Sequence, residues 1–262
     1  MFQIISDIHL EYYDELPNIT TIFEISAPNL ILAGDICYYK HKNFIPFFDI
    51  VNKLYTNVFF VPGNHDYYSY NNIPESDFDE IDFIIEENLK PFKNVHFIQN
   101  SIFELNNTII LGNTLWCKTD RNIKDPNIKL LTNPYYIKFG KKYMPSLPSI
   151  KKTNYIQYNW LKDTLKGIHR TQKNIIVVTH YLPSKKCIHN KYKNSPCNDL
   201  YFTDCEELLP FCNCWVAGHT HDPFIGKING CDVFVNPRGD PDEITPYDKK
   251  LVVETYTPQA HL

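Results

Sequence analysis

Five short apolar runs in this chain stop abruptly at a polar cluster, and that recurring junction is the feature that most limits how it can fold. The clusters are Ser6-Asp7-Ile8-His9, Gly34-Asp35, Gly63-Asn64-His65-Asp66, Thr179-His180 and Gly218-His219-Thr220-His221. The runs before them are of strand length and rich in Ile, Val and Phe. Ligand sites in α/β sheets gather outside the carboxyl ends of strands, so several such ends can converge on one point. Gly34, Gly63 and Gly218 at three of these junctions let the backbone turn sharply and approach a bound group closely.

Apolar runs of strand length recur at 2–5, 30–33, 58–61, 109–111, 175–178, 215–217, 233–235 and 251–253. Helical spacing appears in Phe44, Phe47, Phe48, Val51, Leu54 and Tyr55, in Phe78, Ile81, Ile84, Ile85 and Leu89, and in Ile156, Trp160, Leu161, Leu165 and Ile168. Ser76 followed by Asp79 marks an expected start for the second of these helices. Strand and helix alternate early and strands follow one another later. The expected fold is therefore α/β: two mixed sheets, packed as a sandwich and flanked by helices. At 262 residues, one domain over 1–262 is expected. Residues 118–152, punctuated by Pro126, Pro134, Gly140, Pro145 and Pro148, read as a loop insertion or flap over the site.

Charge and composition narrow the function classes. A formal charge of −4 argues against a surface devoted to nucleic acid, although 118–152 is locally basic and reads first as a solvated lysine-rich loop. No run approaches the roughly 20 apolar residues of a membrane helix, and Met1 leads into Phe2-Gln3-Ile4-Ile5 without a basic start or cleavage site. A non-membrane protein in an intracellular, reducing compartment such as the cytoplasm is expected. The eight cysteines read as reduced, buried thiols, because Cys187, Cys197, Cys205, Cys212 and Cys214 near His189 lack the two-residue gap of structural zinc sites.

The polar clusters carry the chemistry. On extended backbone, residues i and i+2 project to the same side about 6.5 Å apart, which would bring Asp7 with His9, and His219 with His221, to a common centre. Carboxylate plus imidazole is a hard-to-borderline donor set suited to Mn, Fe or Zn. A single histidine or aspartate at a strand end has an ordinary structural explanation. Five histidines each placed in a cluster behind an apolar run do not.

In order and spacing, Asp7-x-His9, Gly34-Asp35, Gly63-Asn64-His65-Asp66, His180 and Gly218-His219-Thr220-His221 resemble the five blocks of the calcineurin-like metallophosphoesterases. Asn236-Pro237-Arg238-Gly239 also looks like a stretch found in small prokaryotic-type members. The resemblance implies a dinuclear phosphoesterase acting on a small phosphodiester or phosphomonoester, with nucleotides among the candidates, through a metal-activated water. It implies two divalent ions, Mn foremost with Fe or Zn as alternatives, the first held by Asp7, His9, Asp35 and His221 and the second by Asp35, Asn64, His180 and His219. His65 would be the proton donor and Asp66 the residue that orients it. Cys37-Tyr38-Tyr39 departs from the acidic or polar residue many members carry after Gly-Asp. Arg238 is a candidate grip for a nonbridging phosphate oxygen, with a surface ion pair as the commoner role for such a residue. The tyrosines near the blocks, Tyr12, Tyr13, Tyr67, Tyr68 and Tyr70, read first as packing residues. Other readings are a protein Ser/Thr phosphatase, which typically has Glu where Asp66 stands, a nuclease, and a catalytically inactive protein-docking scaffold.

Overall fold

The computed structural model describes residues 1–69, 77–119, 128–130, 136–139 and 142–254. One sheet is ordered β14-β1-β2-β3-β4, made of β1 (Phe2–Ile5), β2 (Asn29–Ala33), β3 (Asn57–Val61), β4 (Val95–Phe97) and the antiparallel edge β14 (Val252–Val253). The second, ordered β12-β13-β11-β10-β6-β5, contains β5 (Ser101–Leu105), β6 (Thr108–Asn113), β10 (Asn174–Thr179), β11 (Cys214–Ala217), β12 (Phe224–Ile228) and β13 (Cys231–Val235). Inner strands are parallel in both sheets, and antiparallel pairs lie at the edges. The expected two-sheet α/β sandwich is the observed architecture.

Burial on both faces explains why the inner strands read as unbroken apolar runs. Alternate residues Phe2, Ile4, Ile31, Ala33, Phe59 and Val61 face Ile110, Ile176, Val178 and Val216 across the two sheets. The other alternation of the first sheet, with Ile5, Leu30, Leu32, Val58 and Phe60, packs under α2 (Phe44–Leu54) and α3 (Phe78–Leu89) through Phe44, Phe47, Phe48, Val51, Ile81 and Ile85. In the second sheet Leu111, Val177, Trp215 and Val233 pack against Leu161 and Leu165 of α4 (Leu147–Ile168). A short α1 (Ile19–Ile22) adds Ile19 and Ile22 to the first of these outer cores.

Strands β4, β5 and β12 have no counterpart among the expected runs, and all three are edge strands. An edge strand with one solvated face needs no continuous apolar run. In β5 the alternation even leaves Ile102 half exposed. Helix α4 starts well before the expected Ile156, capped by Ser146. Its first turns are anchored by amides, not by an apolar stripe. Asn154 Nδ2 donates to Thr203 Oγ1 at 2.8 Å and to the Trp116 carbonyl, and Gln157 Oε1 accepts from Trp116 N at 3.3 Å. The cap of α3 is Asp77, which accepts from Glu80 N at 3.1 Å, while Ser76 lies outside the described residues.

Much of the expected flap at 118–152 also lies outside the described residues. Its described part is not wholly irregular. Strands β7 (Ile128–Leu130), β8 (Tyr136–Phe139) and β9 (Lys142–Pro145) form a small antiparallel sheet, and residues from Leu147 onward belong to α4. Tyr143 exchanges two backbone hydrogen bonds with Ser69, at 2.7 and 3.1 Å, which ties β9 to the turn that follows His65. Among the described residues no helix is long and apolar enough to cross a membrane. Cys187, Cys205 and Cys212 pack into the core beside Leu208 and Trp215, and the Cys212 and Cys231 sulfurs stand 3.5 Å apart without a disulfide.

Phe59 is fully buried between the sheets, with ring centroids 5.9 Å from Phe2 and 5.2 Å from Phe103, whereas Phe83 on α3 is 60% exposed. Phe59→Ala is expected to cost about 3–5 kcal/mol in urea unfolding, and Phe83→Ala less than about 0.5 kcal/mol. Similar losses at both positions would contradict the layer assignment.

Candidate active site

Parallel register brings the carboxyl ends of the inner strands to one rim. β1, β2 and β3 align Ile5 with Leu32 and Ala33 with Val61, and β10 and β11 align Val178 with Val216. Beyond the strands a parallel bridge between Ser6 and Pro237 joins the exit of β1 to the exit of β13, with Ser6 N donating to Asn236 O at 3.2 Å and Arg238 N to Ser6 O at 2.9 Å. The two sheets are thereby fastened at the end where the polar clusters sit.

The backbone at the clusters is not extended. Asp7, His9, Asp35, His219 and His221 all have positive φ, from 50° to 75°. Side chains two residues apart therefore converge through left-handed turns, which corrects the geometry expected from strand spacing. Each such residue costs roughly 1–2 kcal/mol relative to ordinary backbone, and strain of this kind persists only where the surroundings over-determine it. Here Ile8 N and His9 N both donate to Asp35 O, at 2.9 and 3.0 Å, and Asp7 N donates to Gly34 O at 2.9 Å. His219 N donates to both Asp7 carboxylate oxygens, at 3.0 and 3.1 Å. Gly34 sits at φ +87°, and a Cβ on Gly63 would lie 2.2 Å from Asp35 Oδ1. Both glycines are needed for the loops to pass this closely.

The side chains of Asp7, His9, Asp35, Asn64, His180, His219 and His221 meet at this rim. Ligand atoms of Asp7, His9 and His221 lie within 4.8 Å of one another, as do those of Asp35, His180 and His219. Asp35 lies between the two groups, with Oδ2 at 3.8 Å from His9 Nε2 and 3.3 Å from His180 Nε2. In each half two candidate ligand atoms face each other. His9 Nδ1 is on Glu11 at 3.1 Å and His221 Nδ1 on Glu243 at 2.5 Å, which leaves their Nε2 atoms opposed at 3.0 Å. His180 Nδ1 donates to Ala33 O at 2.9 Å, and Asn64 Nδ2 donates to Tyr68 Oη at 2.8 Å, so His180 Nε2 and Asn64 Oδ1 are opposed at 3.0 Å. Such atoms come this close only with a proton or a metal ion between them, and a second hydrogen bond on the outer ring nitrogen is the usual support of a metal-binding histidine. The donor set fits divalent ions.

Electrostatics point the same way. Burial alone would lower the His9 imidazole, but the hydrogen bond to Glu11 and the charges of Asp35, Glu11 and Asp7 push it up to about 10. His180, likewise penalised by burial, is raised to about 9 by Asp35 and Asp7. Asp35 is held well below the usual carboxylate range, since His180, His65 and His9 outweigh its burial. The cluster attracts positive charge, for which a proton and a metal ion compete on the same lone pairs.

Two expected roles change. Asp66 does not touch His65: its carboxylate accepts backbone N–H groups from Asp35, Ile36, Cys37 and Gly63 at 2.6 to 3.2 Å. It shapes the Asp35 turn. Arg238 is turned away from a phosphate-gripping role, because its guanidinium donates to the carbonyls of Gly239, Asp240 and Pro241 at 2.5 to 3.3 Å. It braces the turn that carries Glu243 to His221. Glu11, Asp240 and Glu243 were not singled out from sequence. Glu11 continues the alternation Asp7-x-His9-x-Glu11 and was legible there; Asp240 and Glu243 lie in a loop with no periodic signal.

A cleft of about 580 Å³ opens over the cluster. Asp35, Asn64, His65, His219 and His221 line its floor, and Lys191, Tyr192, Asn198 and Tyr201 line one wall, from the connection between β10 and β11. Lys191 Nζ is paired with Asp222 at 2.7 Å, and the Tyr201 ring lies against His219 at 5.1 Å. Of the tyrosines near the blocks, Tyr67 and Tyr68 are buried, Tyr12 stacks on His9 at 5.6 Å, and Tyr70 lies outside the described residues.

Residues 2–223 match the calcineurin-like phosphoesterase family. The chain belongs to that family. It is a metal-dependent phosphoric ester hydrolase by membership, and its donor groups are those such an enzyme requires. It is 27% identical over 259 residues to an uncharacterised protein of Acanthamoeba polyphaga mimivirus, covering 91% of each chain. Among solved structures it is similar to phosphopantetheinyl hydrolase from Mycobacterium tuberculosis, with a TM-score of 0.65 and 16% identity over 92% of this chain and 89% of that one. At that identity the likeness is one of fold.

Gly63→Ala is expected to displace the Asp35 carboxylate and empty the site of metal, because the new methyl would stand 2.2 Å from Asp35 Oδ1. Gly167 in α4 has open space around its missing Cβ, so Gly167→Ala should raise stability by about 0.5–1 kcal/mol and leave metal content alone. Elemental analysis and melting curves on both variants check this. Full metal retention in Gly63→Ala would show that the loops can separate.

Proposed function

We propose that this chain hydrolyses a small phosphate ester at two divalent ions. The first would be held by Asp7, His9, Asp35 and His221, and the second by Asp35, Asn64, His180 and His219. The observation that carries the reading is the pair of close ligand-atom contacts, His9 with His221 and His180 with Asn64, each at 3.0 Å on either side of the Asp35 carboxylate. Divalent ions in these places would withdraw charge from the phosphoryl group and make water a better nucleophile. Carboxylate, amide and imidazole donors suit Mn, with Fe or Zn as alternatives.

His65 completes the site from the chain's own side. Its backbone N–H donates to Asp35 Oδ1 at 2.7 Å, its Nδ1 is bound by Glu11 at 2.9 Å, and its ring lines the cleft. With Nδ1–H held by Glu11, Nε2 is the atom left to carry the second proton of the imidazolium ring to the departing oxygen, and the ring returns to its neutral Nδ1–H form. A cleft of about 580 Å³ is of small-molecule size, and its tyrosines support a substrate with a planar, nucleotide-like part. The tether between Tyr143 and Ser69 supports a role for β9 in holding the loop that carries His65.

Saturation with Mn is expected to load two equivalents, and Asp35→Asn to lower both. One equivalent in the wild type would overturn the shared-carboxylate arrangement. His65→Ala should keep both ions and slow an alkyl phosphodiester by about 10²–10⁴-fold, while an activated aryl ester, whose leaving group needs no proton, loses far less. Equal losses on the two esters would remove the proton-donor role.

A further inference from the structure

Glu11 is almost fully buried, at 1% side-chain exposure, yet it is poorly used by the fold. Its Oε1 accepts from two imidazoles, His9 Nδ1 at 3.1 Å and His65 Nδ1 at 2.9 Å. Its Oε2 has no hydrogen-bond partner among the described residues. An unpartnered buried carboxylate oxygen disfavours folding, so stability does not explain the residue. The two rings that share Oε1 meet edge to face with centroids 4.5 Å apart. Asp66, the acid next to His65 in sequence, has both oxygens committed to backbone N–H groups.

We infer that Glu11 is the positioning residue for both His9 and His65, holding a proton on Nδ1 of each ring so that the Nε2 lone pair of His9 faces the first metal site and Nε2 of His65 faces the cleft, where it carries the ring's second proton to the departing oxygen. The second half rests on the role proposed for His65. Which nitrogen of an imidazole carries the proton is set by the hydrogen bond its other nitrogen makes. A carboxylate has only acceptors, so both rings must present N–H to it. Because one oxygen serves both, the metal ligand and the proton donor are aligned by the same atom. Displacing Glu11 disturbs the two together.

The test compares the full-length wild type with Glu11→Gln, which keeps the shape, and Glu11→Ala. In the zinc-loaded proteins, ¹⁵N spectra of the imidazole rings should show His65 protonated on Nδ1 in the wild type and redistributed toward Nε2 in Glu11→Ala. Titration with Mn should show binding weakened about 10- to 100-fold in both variants. At saturating Mn the alkyl ester should lose about tenfold or more relative to the aryl ester. An unchanged His65 tautomer with unchanged Mn affinity would overturn the inference, as would equal losses on the two esters. Glu11→Gln carries the test if Glu11→Ala does not fold. Should the wild type cleave neither ester, the phosphoesterase reading fails, while the ring spectra and the Mn titration still decide what Glu11 does.

Discussion

The Asp66 carboxylate is buried at the head of β3 and accepts backbone N–H groups from Gly63 and from Asp35, Ile36 and Cys37. Those bonds hold the turn after β2 in the shape that places Asp35 at positive φ. From Asp35 the order spreads outward: its carbonyl accepts from Ile8 N and His9 N, and its Oδ1 from His65 N. Carboxylates and carbonyls of one loop thus fix the backbone of the next. This is why five donor residues can remain in a left-handed conformation that isolated L-residues avoid.

Such loops need a rigid base, and the sandwich supplies one. Both sheets bury both faces, and the Ser6–Pro237 bridge fastens them at the rim where the loops emerge. A site that must hold several carboxylates and imidazoles at such short distances depends on this stiffness, because the facing groups would move apart in a softer frame. Rigidity here belongs to the geometry of the donors as much as to the stability of the fold.

Outside the ligand set the chain differs from what its motifs lead one to expect. Arg238 braces a turn, Asp66 shapes a loop, and the carboxylate on His65 comes from Glu11. Glu243 supports His221 as Glu11 supports His9. Glu11 supports His9 from the same loop, but it reaches His65 across 54 residues and Glu243 reaches His221 across 22, so for those two histidines sequence neighbours and spatial neighbours part company. The wall formed by Tyr192 and Tyr201 has the same origin, since it depends on where the connection between β10 and β11 lies over the cluster.

Residue order made the inner strands, the two-sheet class and the polar residues that gather at the rim legible. Burial on both faces writes a strand as a continuous apolar run, and a polar cluster at its end is visible without knowing where the end points. Edge strands β4, β5 and β12 were not legible, because a strand with one partner and one solvated face carries no such run. The early turns of α4 were hidden for a related reason: Asn154 and Gln157 anchor them through hydrogen bonds, which leave no hydrophobic period. The folded chain set which nitrogen of each histidine faces inward, that Glu11 reaches His65 as well as its neighbour His9, that Glu243 stands behind His221, and that Arg238 serves the fold. Those outcomes depend on contacts between residues far apart in the chain, and hydrogen-bond direction has no signature in residue order.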